Sequence, residues 1–191
     1  LSQNSVGRVI AGLAWDPNPD TGLKGMAKRL MGKYADTDFD LDISCYIYDD
    51  EGKCLDYVTG EKDRLIDSSR CVRHDGDERD GQTQGDDEQI VIDLLTLPRE
   101  ITSLVLICEV ASAHGFRDIH NPKARLADYG TDDDFVSTML GEDKGRDNSA
   151  CVFACLQRVE TDNWQAAHIL HYLDRETVED DWPAYLAQFT Q

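Results

Sequence analysis

Positive charge is scarce in this chain: 19 Lys and Arg face 38 Asp and Glu, a formal net charge of −19. A surface of that sign repels nucleic-acid phosphates and anionic lipid, so neither is expected as a partner. Long apolar runs are missing too. Nothing approaches the ~20 residues a membrane-spanning helix needs, and no charged-then-apolar leader opens the sequence. These absences lead us to expect a cytoplasmic protein without membrane insertion. The six cysteines include no Cys-x-x-Cys pair, which excludes zinc-ribbon and thioredoxin-like readings. Cys45, Cys108 and Cys155 lie inside apolar patterns, so most of the thiols are expected reduced and in the core. No Gly-x-Ser-x-Gly elbow, P-loop or dinucleotide fingerprint occurs. A non-enzyme is expected.

What the chain has instead is acid, gathered in a few places. His74 to Glu88 holds Asp75, Asp77, Glu78, Asp80, Asp86, Asp87 and Glu88, with three glycines and no apolar residue. Like charges this close cost about a few tenths of a kcal/mol per pair. A hard divalent cation offsets that cost, since calcium takes about six to eight oxygen ligands from carboxylates and carbonyls. The glycines let the chain curl so that carbonyls point inward. A second acidic group lies upstream, where Asp38 to Ile47 alternates polar and apolar. On a strand this puts Phe39, Leu41, Ile43, Cys45 and Ile47 on one face and Asp38, Asp40 and Asp42 on the other.

Together the two clusters read as a cation site. Its side-chain donors would be Asp40, Asp42, Asp77, Glu78, Asp80, Asp86, Asp87 and Glu88, with carbonyls from Gly81 and Thr83. The EF-hand template fails here: starting from Asp75, its fifth place is Arg79 and its sixth Asp80 rather than glycine. Calcium is the expected cofactor, as one or two ions in a non-EF geometry. Magnesium is the weaker choice because it keeps its waters. His168 and His171 are three apart in a stretch that reads as strand, which argues against a shared zinc.

Several segments resemble the TerD-type tellurium-resistance and stress-response proteins of bacteria. They are Gly12-Leu13-Ala14-Trp15-Asp16, Phe39-Asp40-Leu41-Asp42-Ile43-Ser44, Gly76-Asp77 through Gly85-Asp86-Asp87-Glu88-Gln89-Ile90, and Asn121 through Leu126 ahead of Asp128. The tandem of Phe-Asp-Leu-Asp and Gly-Asp-Asp-Glu is the specific part, and the resemblance runs from residue 6 to about 170. It implies a β-sandwich whose acidic loops bind calcium. Three positions depart from the family pattern. Glu78 stands for a usual Asn, Asp80 for a usual Thr and Thr83 for a usual Gly. The first two keep oxygen donors, and the third alters how the loop curls.

Short β-prone segments with regular turn signals predict seven or eight strands in an antiparallel β-sandwich with peripheral short helices. One domain is expected over residues 1–191, with a basic amphipathic helical insertion at 21–34 and a C-terminal helical extension at 174–191. Strands are expected at 6–15, 38–48, 55–58, 89–95, 102–111, 124–129, 149–159 and 164–170. Asp132, Asp133 and Asp134 read as the N-terminal cap of a short helix running to Leu140. The function expected is a non-catalytic calcium-binding interaction module of a bacterial stress system that includes tellurite resistance. Its partners would be other proteins of that system. The alternative is a divalent-metal phosphoester hydrolase built on the same carboxylates.

Overall fold

The computed structural model describes residues 7–16, 40–75, 85–111, 115–142, 145–161, 163–178 and 181–191. Within them lie ten strands: β1 (Arg8–Asp16), β2 (Leu41–Tyr48), β3 (Cys54–Val58), β4 (Val72–His74), β5 (Glu88–Asp93), β6 (Ser103–Val110), β7 (His120–Asp128), β8 (Asp134–Met139), β9 (Ala150–Glu160) and β10 (Asn163–Leu173). They form two antiparallel five-stranded sheets, ordered β4-β5-β1-β7-β8 and β10-β9-β6-β2-β3. The antiparallel sandwich expected from the sequence is what the chain adopts.

Period-two patterning explains the packing. Val9, Ala11, Leu13 and Trp15 of β1 meet Leu41, Ile43, Cys45 and Ile47 of β2 in one buried cluster between the sheets. At the centre of its sheet, β6 is buried along its whole length. Leu104, Leu106, Cys108 and Val110 face the other sheet, while Val105 and Ile107 belong to a second cluster with Tyr46, Tyr48, Val178 and Leu186. That second cluster is the outer face of the sheet, covered by the C-terminal segment. Tyr48 donates from its hydroxyl to the Pro183 carbonyl at 2.8 Å and so ties the segment down.

The differences from expectation are instructive. Where a helix was expected up to Leu140, Asp134–Met139 form strand β8. Asp128 Oδ1 accepts from the backbone of Gly130 (2.8 Å) and Thr131 (2.9 Å), and Asp132 takes a positive φ of 61°. The acids therefore build a hairpin turn, and Val136 goes to the core. Strand β7 starts at His120, earlier than the apolar pattern indicated, because β1 extends past a bulge to pair Asp16 with His120. Among the described residues of the C-terminal extension there is one short helix, α1 (Trp182–Leu186), with 3₁₀ turns at 175–178 and 187–189. Its cap is Asp181, which accepts from the Ala184 amide. The insertion at 21–34 lies outside the described residues.

All six cysteines are free thiols. Burial pushes the thiols of Cys151 and Cys155 up to about 12, which suits core residues rather than nucleophiles. Arg158 holds the turn ahead of β6. It donates to the carbonyls of Leu97, Pro98 and Ile101 at 2.9–3.2 Å and lies over the Trp164 ring at 4.5 Å. Lysine has no planar fork to make these bonds together. Arg158→Lys is expected to cost about 1–3 kcal/mol, read as a shift in the urea midpoint. An unchanged midpoint would mean the clamp is dispensable.

Candidate functional site

The topology brings the acidic segments to one end of the sandwich. Strand β1 finishes there, and β2 and β5 begin there, because Leu13 is the register partner of Glu88. The Asp87 amide donates to the Leu13 carbonyl at 2.8 Å. The Asp40 carbonyl, just ahead of β2, accepts from Ala111 just after β6 at 2.8 Å.

Two acids at this end are buried and fixed by backbone donors. Asp87 is 9% exposed and Glu88 1%. Asp87 Oδ2 accepts from the Trp15 amide at 2.9 Å. Glu88 Oε2 accepts from the Ile43 amide at 2.8 Å, a bond from one sheet to the other. Strand β3 reaches only as far as Cys45 of β2, so the Ile43 amide has no strand neighbour on that side and Glu88 takes it. His74 Nε2 lies 3.6 Å from Glu88 Oε2, both side chains fully buried.

Asp86 has a different occupant. Arg125 of β7 grips it with Nε at 2.9 Å from both carboxylate oxygens and an Nη at 2.8 Å. The same guanidinium reaches Asp132 at 2.8 Å and Asp134 at 3.2 Å. Gly12 makes this possible, since a Cβ there would collide with the Asp86 carboxylate. Gly12→Ala should push Asp86 off Arg125 and cost about 1–3 kcal/mol. A thermal midpoint equal to the parent's would show that the pair can shift freely.

Of the ten residues singled out from the sequence, Asp77, Glu78, Asp80, Gly81 and Thr83 lie outside the described residues. Asp40, Asp86, Asp87 and Glu88 lie at or beside the strand ends at this end of the sandwich, each with its own partners. Asp42 is on the outer face of its sheet, lining a cleft with Ser44 and Tyr46. Among the described residues no three His, Cys, Asp or Glu side chains are placed to hold one ion. Arg125 and Glu109 were not foreseen, because only strand register puts them beside Asp86 and Asp42.

The TerD domain model matches residues 1–170. The chain belongs to the TerD family. The tellurium resistance protein TerZ of Serratia marcescens is 29% identical over 178 residues, covering 93% of this TerD chain and 86% of TerZ. The uncharacterized protein YceE of Bacillus subtilis is 31% identical over 143 residues, 71% of this chain and 67% of YceE. General stress protein 16U of the same bacterium is 27% identical over 143 residues, 71% of this chain and 66% of that protein. None of these names denotes a catalytic activity. A crystal structure of a homologue of telluride resistance protein (TerD) from Streptomyces coelicolor aligns with a TM-score of 0.71 at 18% identity, covering 93% of this chain and 97% of that one. At that identity the likeness is one of fold. The TerD sandwich fold is thus shared across distant sequences.

Proposed function

We propose that this TerD-family protein is a cytoplasmic, non-catalytic calcium-binding module that serves tellurite resistance or a general stress response. The observation that carries the reading is the pair Asp87 and Glu88, buried at the sandwich end and following the acidic stretch 76–84 in the sequence. Burying carboxylates is costly unless hydrogen bonds or cations answer them. Backbone donors hold one oxygen of each in place, which suits a fixed set of oxygen ligands. The described carboxylates, with that of Asp40, would supply part of a site. Asp77, Glu78 and Asp80 and the carbonyls of Gly81 and Thr83 would supply the rest. Asp86 would join only if Arg125 released it, and Asp42 only from the outer face. Bound calcium would neutralise the acidic end and order it for docking of other proteins of the same stress system.

Calcium should raise the thermal midpoint, because a ligand at about a hundredfold its Kd adds about 2.7 kcal/mol. Asp87→Asn together with Asp40→Asn should remove most of that gain. Melting curves in chelator and in millimolar calcium read this directly, and identical curves for the parent would sink the proposal. A phosphoester substrate screen with magnesium and manganese tests the hydrolase alternative. Turnover lost with the same substitutions would favour it.

A further inference from the structure

A second acidic feature lies away from the sandwich end, on the outer face of the second sheet. There the C-terminal segment leaves a cleft of about 430 Å³ between itself and strands β2, β3 and β6, a size typical of small-ligand sites. Asp42 and Glu109 line it. They are register partners on adjacent strands, and like charges directly opposite destabilise a sheet. Glu109 is 8% exposed. Its Oε1 receives no hydrogen bond among the described residues, and Arg175 Nε stands 3.8 Å off on a side chain that is 45% exposed. Burial pushes the Glu109 carboxyl upward, against the opposing pull of Arg175 and of a hydrogen bond with Trp182. Glu61 and Asp181 add two more acids around the cleft. Tyr46, Tyr57 and Trp182 provide aromatic surface, the two tyrosines stacked with centroids 5.4 Å apart.

We infer that this cleft binds an elongated aliphatic oligoamine of the polyamine class. Ammonium groups answer the separated carboxylates, and methylene units lie along the rings, whose faces also attract cations. A compact metal ion is a poorer match, because no three of the acids converge on one point among the described residues. Besides Asp42, the carboxylates of Glu61, Glu109 and Asp181 line the cleft with a single guanidinium, that of Arg175, so positive charge is wanted at more than one position. Arg175 then acts as a loosely held substitute that the ligand displaces. Arg175, Asp181 and Trp182 all lie beyond residue 170, where the family match ends. The cleft is assembled by the C-terminal segment upon the sandwich. Apart from Asp42 it uses no residue of the calcium reading.

The test is calorimetric titration of the whole chain with spermidine at near-physiological salt, once in calcium and once in chelator. One saturable site is expected in both. Glu109→Gln should weaken binding at least tenfold, Arg175→Gln should tighten it several-fold, and Glu160→Gln, an exposed acid on β9, should leave it unchanged. Melting curves establish that each variant is folded; if Glu109→Gln is not, Glu61→Gln serves instead, with a several-fold weakening expected. Absence of saturable binding overturns the inference. So does equal weakening by Glu160→Gln, which would mark diffuse attraction to an acidic surface. Retained spermidine binding with no calcium response would remove the calcium proposal alone.

Discussion

Glu88→Ala should lower stability by about 3 kcal/mol, placing it among the most damaging single substitutions of an acid in this chain. Hydrogen bonds to a charged group contribute about 1.5–3 kcal/mol, and Glu88 Oε2 holds the Ile43 amide across the two sheets. The substitution also leaves a void beside fully buried His74, which adds a cavity cost. Against this stands relief of repulsion in a chain of charge −19, but exposed charge effects amount to about 0–1 kcal/mol. The loss therefore dominates. For a domain of this size it corresponds to a fall of about 6–12 °C in thermal midpoint. Glu88→Gln retains an oxygen for Ile43 and should lose less. A midpoint for Glu88→Ala within about 1 °C of the parent would show that the inter-sheet bond carries no stability.

Arg125→Met should have an effect of similar size for a different reason. The Asp86 side chain is 6% exposed and that of Arg125 15%, so removing the guanidinium leaves a nearly buried carboxylate unpaired. Breaking such a pair from one side costs about 3–5 kcal/mol. Adding Asp86→Asn should recover much of the loss, because the double variant has no stranded charge. A double-mutant cycle measures the coupling, and simple additivity of the two substitutions would rule the pair out. The same variant also informs the calcium proposal. If Asp86 is a ligand restrained by Arg125, Arg125→Met binds calcium more tightly than the parent; equal affinity places Asp86 outside the ligand set.

Strands with one wet face, or with none, were readable from side-chain alternation and from continuous apolar runs. Leu41 to Tyr48 and Ser103 to Val110 are the clear cases. Strand β8 was not readable, because Asp132, Asp133 and Asp134 have the same local chemistry as a helix cap. Only the hairpin with β7 decides between the two. At the site, the acidity of the segments around Asp40, Asp87 and Glu88 was plain from composition and pattern. The partners of these acids were not. Arg125 lies 39 residues from Asp86, and the amide held by Glu88 lies 45 residues away. Such pairings arise from sheet order, which no local pattern encodes. Arg158 reaches across similar separations and was equally invisible.

The position of β1 bears on how the molecule is made. It is the middle strand of its sheet, yet both its neighbours, β5 and β7, come from residues 88–128. During synthesis the apolar run from Val9 to Trp15 must wait, unpaired, until those later strands leave the ribosome. Closing such distant pairings is slow, and an exposed strand edge invites wrong partners meanwhile. Chaperone dependence early in translation is the natural consequence of placing the first strand in the centre.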